Sequence, residues 1–247
     1  MAILFLTSSP TGPLDGSRDT HGFDEMNGFR EKLKSYWKSN SRCIIACADP
    51  SDRMSNIRML NYFRGCCEAS DMSVSQFDLL DDYRRNITDE QLHSYDVIIL
   101  GGGHVPTQNR FFQEINLKSK LIGFEGIIIG ISAGSMNSAE VVYAQPELES
   151  ESVDPNYQKF LEGLGLTEHQ ILPHYQTVKD NYLDGKHLFN EITIPDSMGH
   201  CFTVFPDGSY LLSVDGEETI YGEAYKIADG TFTKICENNE FIKGADI

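Results

Sequence analysis

Ile127-Ile128-Ile129-Gly130-Ile131-Ser132-Ala133-Gly134-Ser135 joins an uninterrupted apolar run to a Gly-x-Ser-x-Gly sequence. The run is short, rich in β-branched residues and apolar at every position, the pattern of a strand buried on both faces of a parallel sheet. The residues after it can start a helix. A strand that turns at once into a helix through a serine is the sequence form of a nucleophile elbow. So sharp a turn strains the serine backbone and leaves no room for large neighbours, a condition that Gly130, Ala133 and Gly134 meet. It lifts Ser132 Oγ above the sheet edge and lets the N–H of Ala133 point at a developing oxyanion. A close-packed turn with no chemistry uses the same residue types, so the motif has to be weighed with the rest of the chain.

Working outward, four further apolar runs precede it: Ile3–Leu6, Cys43–Ala48, Ser73–Leu79 and Val97–Leu100, with Gly126–Gly130 as the fifth. Between them lie segments of helical spacing, marked by Met54, Ile57, Leu60, Tyr62 and Phe63, and by Phe111, Ile115 and Leu117. This alternation predicts an α/β fold, a doubly wound, mostly parallel sheet with helices on both faces and right-handed crossovers. Beyond about residue 195 the spacing shortens and turn signals recur at Pro206-Asp207-Gly208, Asp215-Gly216 and Asp229-Gly230. They predict a C-terminal antiparallel region completing one edge of the same domain. No linker, repeat or low-complexity tract interrupts the chain, so residues 1–247 are expected to form one domain.

Val97–Leu100 runs into Gly101-Gly102-Gly103-His104. Three glycines let backbone N–H groups approach a ligand, and loops after parallel strands gather at one edge of the sheet. No phosphate-loop Lys-Ser/Thr follows, so Gly102 or Gly103 is expected to supply a second oxyanion donor facing Ser132.

The chain has 247 residues, 40% of them hydrophobic, and a formal charge of −17. That charge argues against nucleic acid and against anionic membrane surfaces, while an acidic small-molecule substrate stays open. No run approaches the length of a membrane span, and the opening Ala2–Leu6 run lacks a basic leader, reading as a strand and not a signal peptide. Of six cysteines only Cys43 and Cys47 have a metal-like spacing, and Ile44-Ile45-Ala46 between them is strand-like. Reduced thiols in the cytoplasm, with no metal and no cofactor, are the expectation. Monomer and homodimer are both compatible with the sequence.

A serine nucleophile needs a base, normally histidine, oriented by a carboxylate. His21, His93 and His187 lie in polar surroundings, His169 in a polar turn, and His200 precedes a strand. His174 follows Ile171-Leu172-Pro173, where an apolar run ends in a loop, the place for such an imidazole if that run joins the sheet. For the acid, Asp207 competes with Glu147, Glu149, Glu151 and Asp154 of the acidic stretch Glu147–Asp154, and its Pro-Asp-Gly setting also reads as a plain turn. The order Ser, His, Asp differs from that of the α/β-hydrolases.

Taken together, the Gly-Gly-Gly strand end, the Gly-Ile-Ser-Ala-Gly elbow, Pro173-His174 and Pro206-Asp207-Gly208 resemble, in order and spacing, the peptidase E (aspartyl dipeptidase) family of serine peptidases, with cyanophycinase as a more distant relative. The resemblance runs from about residue 96 to 210. It implies a class I glutamine-amidotransferase-like fold with serine in place of cysteine. It also implies Ser132 as nucleophile, His174 as base, Asp207 in the acid position, and an oxyanion hole from Gly102 or Gly103 with Ala133. Three departures stand out. The family usually has glutamate where Asp207 stands, and its aspartate-binding arginine has no counterpart in Tyr175–Tyr182. Lys179 is left as the nearby cation unless it is simply solvated beside Asp180, and His104 stands where asparagine is usual. The implied activity is hydrolysis of short peptides, Asp-X dipeptides among them. An esterase or other amide hydrolase, or a non-catalytic small-molecule-binding protein on the same scaffold, are the alternatives.

Overall fold

The five apolar runs form the centre of the computed structural model, which describes residues 1–12 and 22–244. They are β1 (Ile3–Thr7), β2 (Ser41–Ala46), β3 (Val74–Leu80), β4 (Val97–Leu100) and β5 (Ile127–Ile131). All pair in parallel in the spatial order β1-β5-β4-β2-β3. Because successive side chains point to opposite faces, each run feeds two cores. Ile98 and Leu100 of β4 pack with Phe111, Phe112 and Ile115, whereas Val97 and Ile99 pack with Phe63, Cys66 and Cys67. The first group covers one face with α4 (Val105–Glu114) and α5 (Leu117–Lys120); the second covers the other with α1 (Phe29–Tyr36) and α2 (Arg53–Ala69), while the short α3 (Asp89–His93) seats Leu92 in the first core. Each fully buried Leu, Ile or Phe contributes about 1.5–3 kcal/mol of hydrophobic stabilisation. The six cysteines are free, and burial pushes the thiols of Cys43, Cys47, Cys66 and Cys67 up, leaving them inert core residues.

The C-terminal strands divide between two sheets. Tyr210–Val214, Glu217–Tyr221 and Phe241–Lys243 extend the main sheet beyond β1, all antiparallel, to give eight strands. Cys201–Val204, Ala224–Ala228 and Thr231–Cys236 instead form a separate four-stranded sheet with Gln170–Leu172. The run before His174 therefore belongs to this second sheet, where it pairs in parallel with Cys201–Val204. Local turn signals predict hairpins and cannot say which sheet a hairpin joins. Among the described residues no helix is long and apolar enough to cross a membrane. His21 lies outside the described residues.

Candidate active site

Register brings the site together. Thr7 at the end of β1 pairs with Ile131 at the end of β5, so the next residues, Ser8 and Ser132, emerge side by side. Thr7 also pairs with Tyr210 at the start of an antiparallel strand, which puts the preceding turn, with Asp207, at the same edge. In the second sheet Leu172 pairs with Val204, and the Phe205 N–H donates to the Leu172 carbonyl at 2.8 Å. Pro173-His174 and Pro206-Asp207 thus leave that sheet together, toward the C-terminal ends of β1, β4 and β5.

Ser132 has φ 50° and ψ −112°, a strained conformation for a non-glycine residue, held where its N–H donates to the Thr7 carbonyl at 3.1 Å. The helix that follows, α6 (Ala133–Met136), lies so close to β4 that a Cβ on Gly134 would stand 2.1 Å from the Leu100 carbonyl oxygen. Only glycine fits there.

Ser132 Oγ lies 2.9 Å from His174 Nε2, and His174 Nδ1 lies 2.7 Å from Asp207 Oδ1. A proton on Nδ1 satisfies the carboxylate and leaves Nε2 as the acceptor for the serine hydroxyl. His174 begins α7 (Tyr175–Val178) in a left-handed conformation, φ 59°. None of the acids of Glu147–Asp154 is hydrogen-bonded to the imidazole among the described residues; Glu151 pairs with His104 instead. Asp207 is nearly buried, its side chain 7% exposed. Burial pushes its carboxyl up, but hydrogen bonds from His174 and Ser8 and the charge of the imidazole outweigh this and hold it below the usual range.

Ser8 and Gln176 were not singled out in the sequence. Ser8 is fully buried; its hydroxyl donates to Asp207 Oδ1 at 2.5 Å and accepts the His174 backbone N–H at 2.8 Å. Gln176 Oε1 accepts the Asp207 N–H at 3.0 Å. Ser8 follows β1 as Ser132 follows β5, so the rule that strand C-termini gather at one edge contained the signal for it. Gln176 had none.

Gly102 lies against the elbow: a Cβ there would stand 3.5 Å from Ser132 Cβ. Gly103 takes φ 151°, and a Cβ on it would meet Ala48 Cβ at 2.5 Å. Among the described residues the N–H groups of Gly102 and Ala133 have no hydrogen-bond acceptor. His104 turns to Thr107 and Glu151, at 2.8 and 2.9 Å, and Lys179 lies exposed 3.9 Å from Asp180. Neither lines the cavity around Ser132. That cavity, of about 550 Å³, is walled by His174, Asp207, Gln176, Thr177, Asn181 and Glu147 among others. A larger open groove of about 1230 Å³, beside His169 and Glu218 at the other end of the sheet, contains neither Ser132 nor His174.

A parallel α/β sheet bearing a serine, an imidazole and a carboxylate in one hydrogen-bonded row has the architecture of a serine hydrolase. The chain belongs to peptidase family S51, whose model matches residues 17–219. Two solved structures are similar over nearly their whole length. One is a peptidase from an acI-B1 Actinobacterium, 15% identical, with a TM-score of 0.60 over 99% of this chain and 97% of that one. The other is a putative peptidase E protein from Listeria monocytogenes EGD-e, also 15% identical, with a TM-score of 0.52 over 99% and 98% of the two chains. At this identity the likeness shows a shared peptidase E-type fold. No curated protein matches the chain.

Proposed function

We propose that this peptidase hydrolyses short peptides through an acyl-enzyme formed on Ser132. His174 Nε2 takes the proton from Ser132 Oγ as the oxygen attacks the peptide carbonyl. The Asp207 carboxylate holds the Nδ1–H tautomer and stabilises the imidazolium that results. The N–H groups of Ala133 and of Gly102 or Gly103 stabilise the tetrahedral oxyanion. His174 then protonates the leaving amine, and water, activated by the same imidazole, releases the acyl group. A free thiol at all six cysteines fits a reducing cytoplasm.

The reading is carried by one observation, the Ser132–His174–Asp207 row at 2.9 and 2.7 Å inside a single cavity. Incubation with a small fluorophosphonate tests it by mass spectrometry. Phosphonylation of Ser132 with loss of fluoride, absent in Ser132→Ala and strongly slowed in His174→Ala, is expected. A wild-type protein that stays unlabelled, or labels at another residue, overturns it. Substrate screening then begins with dipeptides, Asp-X included, since family membership makes them candidates although no Lys or Arg lines the cavity among the described residues.

A further inference from the structure

Gln145 is a polar residue in the wall of the Ser132 cavity that takes no part in the acyl transfer. It is 7% exposed and shares that wall with the apolar Met136, Val178 and Leu188. The direction of its carboxamide follows from its one side-chain partner. The Thr193 hydroxyl donates to the Leu188 carbonyl at 3.0 Å, so its oxygen is left to accept, and Gln145 Nε2 donates to it at 2.5 Å. Nε2 is thereby turned into the protein. Oε1 has no hydrogen-bond partner among the described residues, yet it is not sealed inside the protein, so it opens on the cavity. A carbonyl oxygen so nearly buried, with no donor, costs free energy that a ligand N–H would recover.

The charged groups of the same wall are already engaged. Asp207 is held by His174 and Ser8, and the Glu147 carboxylate accepts the backbone N–H of Val105. Gln176 Oε1 is taken by the Asp207 N–H, and no Lys or Arg lines the cavity among the described residues. What stays open is neutral. Gln145 Oε1 is an acceptor, and the Thr177 hydroxyl and the Asn181 carboxamide, whose side chains make no hydrogen bond among the described residues, can donate. The matching group donates and accepts without carrying charge. A carboxamide, with two N–H donors and a carbonyl oxygen, does so most fully; a carboxylate brings no donor and an ammonium no acceptor.

We propose that Gln145 sets the specificity of the site by accepting a hydrogen bond from the side-chain carboxamide of the residue whose carbonyl Ser132 attacks. The preferred substrates are then short peptides with asparagine or glutamine at that residue. One cavity of about 550 Å³ holds both Gln145 and Ser132, so a side chain and the carbonyl of the same residue can reach the two together. The proposal rests on the peptidase reading and deepens it. It also accounts for the missing arginine, since a site for a carboxamide needs no cation.

Binding is measured by calorimetry on the full-length Ser132→Ala protein, so the result does not depend on turnover. The probes are Asn-Ala, Leu-Ala, Asp-Ala, Ser-Ala and Lys-Ala. Asn-Ala is expected to bind about 10- to 100-fold tighter than Leu-Ala, which has a similar shape but leaves the buried acceptor unpaired, and tighter than Asp-Ala by at least as much. Adding Gln145→Met, which removes the carboxamide at similar length, is expected to abolish the difference between Asn-Ala and Leu-Ala. Asn-Ala binding no tighter than Leu-Ala or Asp-Ala, no measurable binding of any probe, or a preference that survives in a folded Gln145→Met protein would each overturn the proposal. Tightest binding by Lys-Ala, or Ser-Ala equal to Asn-Ala, would overturn the carboxamide assignment in favour of a cation or a hydroxyl. Should Gln145→Met not fold, as judged by its Tm, the ranking of the five probes on Ser132→Ala decides. Fluorophosphonate labelling of the wild type tests the nucleophile separately, so either reading can fail without the other.

Discussion

Removing the Ser8 hydroxyl is expected to slow phosphonylation of Ser132 about 10- to 100-fold while the protein stays folded. The hydroxyl donates to the same Asp207 oxygen that holds His174 Nδ1 and accepts the backbone N–H of His174. It thus ties the acid to the base from a residue 166 positions before one and 199 before the other. A hydrogen bond to a charged group is worth about 1.5–3 kcal/mol, and 1.4 kcal/mol is about tenfold in rate. The aspartate, shorter than glutamate, depends on this bond to stay against the imidazole. Its loss also leaves the His174 N–H without an acceptor. Overall stability should fall by about 1–2 kcal/mol, since Ser8 is fully buried. In a chain of this length that lowers Tm by roughly 2–8 °C. The assay is the second-order labelling rate at fixed pH for wild type, Ser8→Ala and Ser8→Thr, each with its Tm. Threonine keeps the hydroxyl and should recover much of the rate. A folded Ser8→Ala protein that labels at the wild-type rate would refute the argument, because the Asp207–His174 pair would then hold itself. A slow Ser8→Thr with an unchanged Tm would refute it as well.

The Asp207 carboxyl is held below its ordinary value of 3.8, so its ionised form stabilises the fold above that pH. This contribution is lost as pH falls through the folded-state value. Asp207→Asn should therefore be less stable than wild type near neutrality and converge with it in acid, read from Tm against pH; a gap that widens in acid contradicts the assignment. The same variant should label at least about 100-fold more slowly, because a neutral amide no longer selects the Nδ1–H tautomer. Gly134→Ala places a Cβ on the Leu100 carbonyl, and separating α6 from β4 should cost about 3 kcal/mol or more, seen as a lower urea midpoint. An unchanged midpoint would mean the elbow tolerates the shift.

How far a residue could be read depended on the range of the forces acting on it. Runs such as Val97–Leu100 were legible because every position in them is apolar, which fits a strand covered on both faces; Ile98 and Leu100 fill one core and Val97 and Ile99 the other. Peptidase family membership was legible too, through the ordered motifs, and the family model bears it out. Ser132 announced itself because the constraint on it is local: the turn admits only small neighbours, and Gly130, Ala133 and Gly134 are consecutive with it or nearly so. His174 and Asp207 could be named from the resemblance, but the choice of Asp207 over Glu147 or Glu151 could not be made on local grounds. Their separation along the chain says nothing of which carboxylate meets the ring. Strand pairing decides that, with Leu172 beside Val204 and Thr7 beside Tyr210. Ser8 passed unnoticed in Ser8-Ser9-Pro10, since a buried hydroxyl has no local signature until another strand brings it a partner. His104 and Lys179, expected near the ligand, were placed by contacts with Glu151 and Asp180 that the motifs do not encode. The sequence by itself determined the strands, the elbow and the family, which follow from neighbours a few residues apart. The partners of Ser132 were decided by register between strands distant in the chain, and only the folded sheet sets that register.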